Sequence, residues 1–149
     1  MHTEQLIFRD VAGADVRQAF PLAQATGTAA ALDDWLAFAM DAAGAKSEGR
    51  HGIRALVNDQ GTFVGLMMFA LTSDPRHGTV FEITHLLALN RITAEALIQE
   101  GLRLAEASGC RLVRTAVSVG DMWLGDFLRR RGFTLERHLL ARALTPQSP

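Results

Sequence analysis

The clearest candidate binding site in this sequence is LALNRITAEAL, residues 87–97, where an apolar strand leads into an amphipathic helix. The first N–H groups of a helix have no partner within the helix, and the helix dipole favours negative charge there, so this junction is a natural anion site. Phosphate-binding turns usually contain glycines, which let the backbone approach the ligand, but this turn contains none. Asn90 and Thr93 are candidate N-caps. Arg91 adds a positive charge at the helix start, and Glu95 opposes it.

Two titratable side chains, Glu82 and His85, precede this turn in a strand that is otherwise apolar. Partial burial makes a carboxylate a better proton acceptor, so Glu82 is the candidate general base; a surface glutamate paired with an arginine is the alternative. On a regular strand His85 lies three residues further on and points to the opposite face, which predicts a hydrogen-bonded core histidine or a surface histidine. No His/Cys cluster has metal-site spacing and no nucleophile elbow occurs, so we expect no metal.

The composition is that of a globular protein and limits its partners. Apolar residues make up 48% and charged residues 21% of 149, which predicts one domain over residues 1–144 and a frayed tail at 145–149. The net charge of −1 gives no field that would attract nucleic acid or an anionic membrane. The single cysteine, Cys110, excludes an internal disulfide and favours a reducing, cytoplasmic location, where a buried thiol is inert. No signal-peptide pattern begins the sequence, and no apolar run reaches the roughly 20 residues of a spanning helix.

The hydrophobic periodicity predicts the order β-α-α-β-β-β-α-β-α-β, an α/β (α+β) fold with a mixed, mostly antiparallel sheet and helices on both faces. A strand–helix–strand crossover makes its last two paired strands parallel. Gly61 is available for positive φ in a hairpin turn, and Gly109 and Gly132 are predicted to end helices. The predicted elements are a strand at 5–11, a helix at 15–26 interrupted near Pro21, a helix at 29–43, strands at 52–59, 62–71 and 79–89, a helix at 91–108, a strand at 111–119, a helix at 120–132 and an extended segment at 133–144.

This order, with two helices between the first and second strands, resembles the GNAT superfamily of acyl-CoA-dependent N-acyltransferases. DQGTFVGLMMFAL resembles the family's central hairpin, in which a turn glycine, here Gly61, precedes a Val-Gly pair, here Val64 and Gly65. FEITHLLAL resembles the fourth strand, which commonly carries a glutamate. LIQEGLRLAEASGCRLVRTAV is similar to the long helix, its closing Gly-Cys and the fifth strand, and FLRRRGF resembles the end of the fourth helix. Together these motifs cover about residues 52–134.

The resemblance implies that acyl-CoA binds at the turn before the long helix, where the family pattern is [Q/R]-x-x-G-x-[G/A]. Counting back from Gly109 places Ala94 at the last small residue, Ile92 at the inner glycine and Leu89 at the Gln/Arg. Counting forward from Glu82 gives a register about four residues different, which implies a shorter loop than the family's. The implied acyl-CoA contacts are Leu87, Ala88, Leu89, Asn90, Arg91, Ile92, Thr93 and Ala94.

The resemblance also implies a proton donor for the leaving thiolate, usually a tyrosine in the fourth helix. Leu128 occupies that position, and the sequence contains no tyrosine. Asp121 matches the asparagine that usually begins this helix. Ser118 and Asp121 are therefore candidate replacement donors, although turn chemistry alone would explain both.

Two functions remain open from the sequence. The first is a GNAT-type enzyme that transfers an acyl group from acetyl-CoA, or another acyl-CoA, to a small amine or a peptide by direct attack, with Glu82 as base. The second is a GNAT-fold binding or regulatory module that no longer binds CoA tightly and acts as a homodimer. Neither function involves nucleic acid or a membrane.

Overall fold

The computed structural model describes residues 5–43, 50–116, 122–137 and 140–144. The chain forms two compact units, Met1–Ala116 and Val117–Pro149. The first unit contains the sheet and three of the α-helices, and the second contains the last helix. The single domain expected over residues 1–144 stays a prediction.

The first unit is built on one five-stranded sheet with the order β1-β2-β3-β4-β5. Neighbouring strands are antiparallel except β4 and β5, which are parallel. The fold class expected from the sequence, a mixed and mostly antiparallel sheet with helices, is confirmed. The strands are β1 (Ile7–Asp10), β2 (His51–Val57), β3 (Phe63–Asp74), β4 (Gly78–Ala88) and β5 (Leu112–Thr115).

Helices connect these strands at the expected places. A 3-10 helix over Gly13–Ala19 precedes α1, and Pro21 lies in the first turn of α1. Proline is tolerated there because a backbone N–H in the first turn would have no acceptor within the helix. The interruption expected near Pro21 is therefore the boundary between these two helices. Gly61 in the β2–β3 turn has φ +78°, and Gly109 after α3 has φ +73°, as their roles require. The helices are α1 (Phe20–Ala25), α2 (Leu32–Ala42), α3 (Arg91–Ala107) and α4 (Met122–Arg130).

The two faces of the sheet are covered by different helices. On one face, side chains such as Ile53, Leu66 and Met68 pack with the 3-10 helix, α1 and α2 around the fully buried Trp35, whose Nε1 donates to the carbonyl of Val16 at 2.8 Å. We call this face the α2 face. The opposite face packs against α3 and is called the α3 face. Helices on both faces were expected from the sequence, and the structure confirms them.

Helix α3 packs on β3 and β4 at two glycines, Gly65 in β3 and Gly101 in α3. A Cβ atom on Gly65 would lie 2.9 Å from Leu97 Cδ1 and would overlap Thr93 Cγ2, so only glycine fits there. A Cβ atom on Gly101 would lie 3.1 Å from both Ile83 Cδ1 and Met67 Sδ. The start of α3 is therefore held tightly against the sheet at the end of β4.

The second unit departs from the sequence expectation in its last segment. The extended segment over 133–144, expected as the closing strand, forms no strand in the described residues 133–137 and 140–144, where Leu135, Leu140 and Leu144 are exposed. Helix α4 itself is confirmed, and Gly132 follows it with φ +92°.

Candidate functional site

The candidate site begins where β4 and β5 stop pairing. Their parallel register ends at Ile83 and Thr115, while β4 continues to Ala88 and remains paired with β3. From residue 84 to residue 88, β4 is therefore paired on one side only. Its other edge, which faces away from β3, has no partner strand within the described ranges. Backbone N–H and C=O groups on such an edge can bind an extended ligand.

The start of α3 lies directly after this open edge. Asn90, with extended backbone angles (φ −148°, ψ 169°), caps the helix by accepting a hydrogen bond from the Thr93 N–H at 2.9 Å. Of the two N-cap candidates, the structure therefore selects Asn90. The N–H groups of Arg91 and Ile92 have no acceptor among the described residues. These two free donors and the helix dipole give the junction its capacity to bind an anion.

The residues implied to contact acyl-CoA divide by exposure. Leu87, Thr93 and Ala94 are buried, and Ala88 is half-buried. Exposed side chains occur at Leu89, Asn90, Arg91 and Ile92, of which Ile92 is 75% exposed. Arg91 Nε donates to Glu95 Oε1 at 2.9 Å, so this guanidinium is already paired within the first turns of the helix. The junction keeps the backbone of an anion site, but its arginine is neutralised by Glu95.

Glu82 is half-buried and is held by an arginine of the neighbouring strand. Arg114 Nη1 donates to Glu82 Oε1 at 3.1 Å, and Arg114 Nη2 donates to Asp74 Oδ2 at 3.2 Å. The backbone N–H of Arg76 and the guanidinium of Arg114 lower the pKa of Asp74 to about 2. Glu82 therefore lies in a carboxylate–guanidinium–carboxylate cluster that ties β4 to β5 and to the end of β3.

The structure corrects the expected orientation of His85. Met68 pairs with His85 and Ala70 pairs with Glu82, but Phe69, between them, pairs with Ile83, so β4 contains one extra residue, Thr84. This β-bulge returns His85 to the α2 face, which Glu82 also occupies; the regular-strand expectation of opposite faces was wrong. The only sequence signal for it is the pair of polar residues, Thr84 and His85, that interrupts an apolar strand.

His85 lies on the α2 face beside α2. Its ring meets the edge of Phe38 at a centroid distance of 4.9 Å and an interplanar angle of 74°. His85 is exposed as a residue, while desolvation by the atoms around its ring lowers the pKa of His85 below its ordinary value. The neutral ring is therefore the form present at neutral pH, and it can accept a proton.

The remaining candidates are either outside the site or outside the described residues. Ser118 and Asp121, the candidate thiolate donors, fall in residues 117–121, which lie outside the described ranges. Cys110 is half-buried, and desolvation raises the pKa of its thiol, which keeps it protonated.

The described part of the chain was expected to hold no metal, and its acidic, histidine and cysteine side chains are dispersed. No group of three or more His, Cys, Asp and Glu side chains there could hold a metal ion. No helix in that part is long and apolar enough to cross a membrane.

Solved structures share this architecture at low sequence identity. The aminoglycoside N-acetyltransferase AAC(6')-Iy in complex with CoA matches with a TM-score of 0.77 at 16% identity, over 97% of this chain and 98% of that one. A transcriptional regulator from Bacillus halodurans C-125 matches with a TM-score of 0.75 at 12% identity, over 94% and 100% of the two chains. A ribosomal-protein-alanine N-acetyltransferase from Brucella melitensis biovar Abortus 2308 gives 0.71 at 12% identity, over 95% and 100%.

These matches extend over nearly the whole length of each partner, so they define the fold. The chain adopts the GNAT fold. No family model and no curated protein matches the sequence.

Proposed function

We propose that this protein transfers an acyl group from acyl-CoA, with acetyl-CoA as the simplest donor, to a primary amine. The observation that carries the proposal is the junction of the open edge of β4, beyond Ile83, with the start of α3 at Asn90. The free N–H groups of Arg91 and Ile92 would bind the pyrophosphate of the donor. The unpaired edge of β4 would hold the pantetheine arm by backbone hydrogen bonds and polarise the thioester carbonyl.

The chemistry requires few groups besides these. The amine nitrogen attacks the thioester carbon, and most of the rate comes from holding the two reactants together. A proton must leave the amine, and Glu82 and His85 both lie on the α2 face, where either could accept it directly or through water. Ser118 and Asp121 stay candidates for returning a proton to the thiolate. The similarity to N-acetyltransferases, one of them in complex with CoA, supports the donor class.

A second function has its own support. Arg91 is paired with Glu95, so it is not available to an anion. At the start of α3, Leu89 and Ile92 are exposed apolar residues. A transcriptional regulator has the same fold. A GNAT-fold regulatory module, acting as a homodimer in the cytoplasm, would have these features without binding CoA tightly. The two functions differ in one measurable property, which is the affinity for CoA.

Calorimetric titration with acetyl-CoA and with free CoA tests the proposal. We expect a Kd in the micromolar range. At about 100 times Kd, the ligand should add about 2.7 kcal/mol of stability and raise the Tm by about 5–10 °C. Absence of binding at about 1 mM of either ligand would overturn the proposal and favour the regulatory module.

A charge change at the exposed Ile92 locates the site. Ile92→Glu places a negative charge beside the two free N–H groups and should weaken binding by about 2- to 5-fold, whereas the matched neutral variant Ile92→Gln should not. Equal affinities for these two variants would place the ligand elsewhere. Release of free thiol in the presence of an aminoglycoside, a peptide with N-terminal alanine or glucosamine 6-phosphate would then identify the acceptor class.

A further inference from the structure

We infer that His85, rather than Glu82, takes the proton from the acceptor amine; this inference rests on the acyl transfer proposed above. The two side chains lie on the same face of β4 because Thr84 is an extra residue between them. They are separated by the equivalent of two residues of regular strand, about 7 Å. The acceptor amine would therefore have two potential bases on one face of the sheet, Glu82 and His85. The two side chains differ in the residues that contact them.

The position of His85 along β4 favours it. Pairing of β4 with β5 ends at Ile83, so Glu82 lies inside the paired region, opposite Arg114. His85 lies beyond it, on the part of β4 whose edge is open and where the thioester would lie. A base must come within hydrogen-bond reach of the amine, directly or through one water, and His85 is the titratable side chain on the open part of this strand.

The partners of Glu82 oppose the same role for that residue. Arg114 donates to Glu82 at 3.1 Å and to Asp74 at 3.2 Å, and Arg114 is mostly buried. These hydrogen bonds hold Glu82 Oε1 against Arg114 of β5, inside the paired region of the two strands. Glu82 therefore serves to join β4 to β5 and to fix the point at which the two strands separate.

The surroundings of His85 keep its imidazole neutral but accessible. The pKa of His85 is lowered by desolvation, and the Phe38 ring packs against the imidazole in a T-shaped arrangement. The charged and titratable groups on this face include Glu82 of β4, Arg114 of β5, His51 of β2, Arg9 of β1 and Asp74 of β3, together with Asp34 and Asp41, one turn before and after Phe38 on α2. The carboxylates among them favour the imidazolium once the proton has arrived, and the two arginines oppose it.

The step balances without any further reactant. The neutral amine nitrogen forms a bond to the thioester carbonyl carbon, the C–S bond breaks and its electron pair leaves on the CoA sulfur. The nitrogen gives its extra proton to an imidazole nitrogen of His85. The thiolate then takes up one proton, from the imidazolium or from water, and the products are the amide and free CoA.

The test compares His85→Gln with Glu82→Gln and, as a matched control, His77→Gln in the turn between β3 and β4. For each variant, acetyl-CoA affinity is measured by calorimetry, and kcat/KM is followed from pH 5 to pH 9 at saturating acetyl-CoA. We expect His85→Gln to lower kcat by about 100-fold at neutral pH, with unchanged acetyl-CoA affinity. It should also remove the lower inflection of the pH profile, which in the wild type should coincide with the titration of the His85 ring by NMR. His77→Gln should behave as wild type.

The outcomes separate this inference from the proposed function. If His85→Gln keeps the wild-type rate and both inflections, or if Glu82→Gln alone removes the lower inflection, the inference is overturned while acyl transfer stands. The wild-type protein is also tested with an aminoglycoside, a peptide with N-terminal alanine and glucosamine 6-phosphate. If it binds no acetyl-CoA and acetylates none of these amines, the proposed function fails and the role of His85 fails with it.

Discussion

Arg54 of β2 donates from Nε to Oε2 of Glu100 in α3 at 2.8 Å, across the α3 face of the sheet. The side chain of Glu100 is only 4% exposed, and its hydrogen bonds to arginines keep it an anion. Two further hydrogen bonds from Arg103, at 2.7 and 2.9 Å, saturate its oxygens, and Arg54 extends to Asp10 of β1 at 3.0 Å. This network fixes α3 to β2 and β1. The start of the same helix forms the proposed acyl-CoA site.

Removal of the buried carboxylate should destabilise the fold strongly. Glu100→Ala leaves the guanidinium of Arg54, itself 19% exposed, without its main partner, and we expect a loss of about 2–4 kcal/mol in the free energy of unfolding, measured with urea. Arg103→Ala is the control, because Arg103 is 59% exposed and should cost less than about 1 kcal/mol. Equal losses for the two variants would contradict this account of the network.

The same carboxylate predicts the sign of a pH effect. Hydrogen bonds from Arg103 and then Arg54 lower the pKa of Glu100 from its usual 4.5, against desolvation, which raises it. A lowered folded-state pKa means that the stabilisation is complete above about pH 4.5 and is lost as the pH falls through the folded-state pKa. The stability difference between wild type and Glu100→Gln, measured with urea from pH 7 to pH 3, should therefore be constant above pH 5 and shrink below pH 4.5. A difference that grows on acidification would show the opposite linkage.

Most of the fold could be predicted from the sequence because its signals are local. Alternating and helical patterns located the five strands and the helices, and Gly61 and Gly109 adopt the positive φ that their turns require. Asn90 and Thr93 were both candidate caps, and only the backbone conformation selects Asn90. The closing strand was predicted from apolar residues such as Leu135 and Leu140, but these are exposed in the structure, so apolar content alone did not make a strand there.

The chemistry of the site was less predictable because it depends on partners distant in sequence. Arg114 is 32 residues from Glu82, and no local pattern shows that they pair. The bulge at Thr84 is a property of the register between β3 and β4, so the face of His85 could not be derived from β4 alone. The free N–H groups at the start of α3, in contrast, follow from the strand–helix junction itself, which the sequence shows.

The close approach of α3 to β3 makes Gly65 a sensitive position. Gly65→Ala would place a methyl group against the buried side chains of Thr93 and Leu97 in α3. Because these side chains or the start of α3 must then shift, we expect a loss of about 1–3 kcal/mol in the free energy of unfolding together with weaker acetyl-CoA binding. The matched control is Gly125→Ala in α4, where the new Cβ meets no described atom within 4 Å. That change should stabilise the protein by up to about 1 kcal/mol. Urea unfolding and calorimetry measure both effects, and a fully stable Gly65→Ala variant would contradict the packing argument.

The ion pair at the start of α3 predicts a gain of affinity by substitution. Glu95→Gln removes a negative charge from the start of the helix and frees Arg91, now held at 2.9 Å, to reach a bound phosphate. Each such charge near a helix end contributes about 0.3–1 kcal/mol, and the freed cation adds a similar amount, so acetyl-CoA affinity should rise by about 3- to 30-fold at low salt and by less at high salt. Glu106→Gln, about 16 Å further along the same helix, is the control and should leave the affinity unchanged. If Glu95→Gln binds acetyl-CoA no more tightly than Glu106→Gln does, the phosphates do not lie at the start of α3.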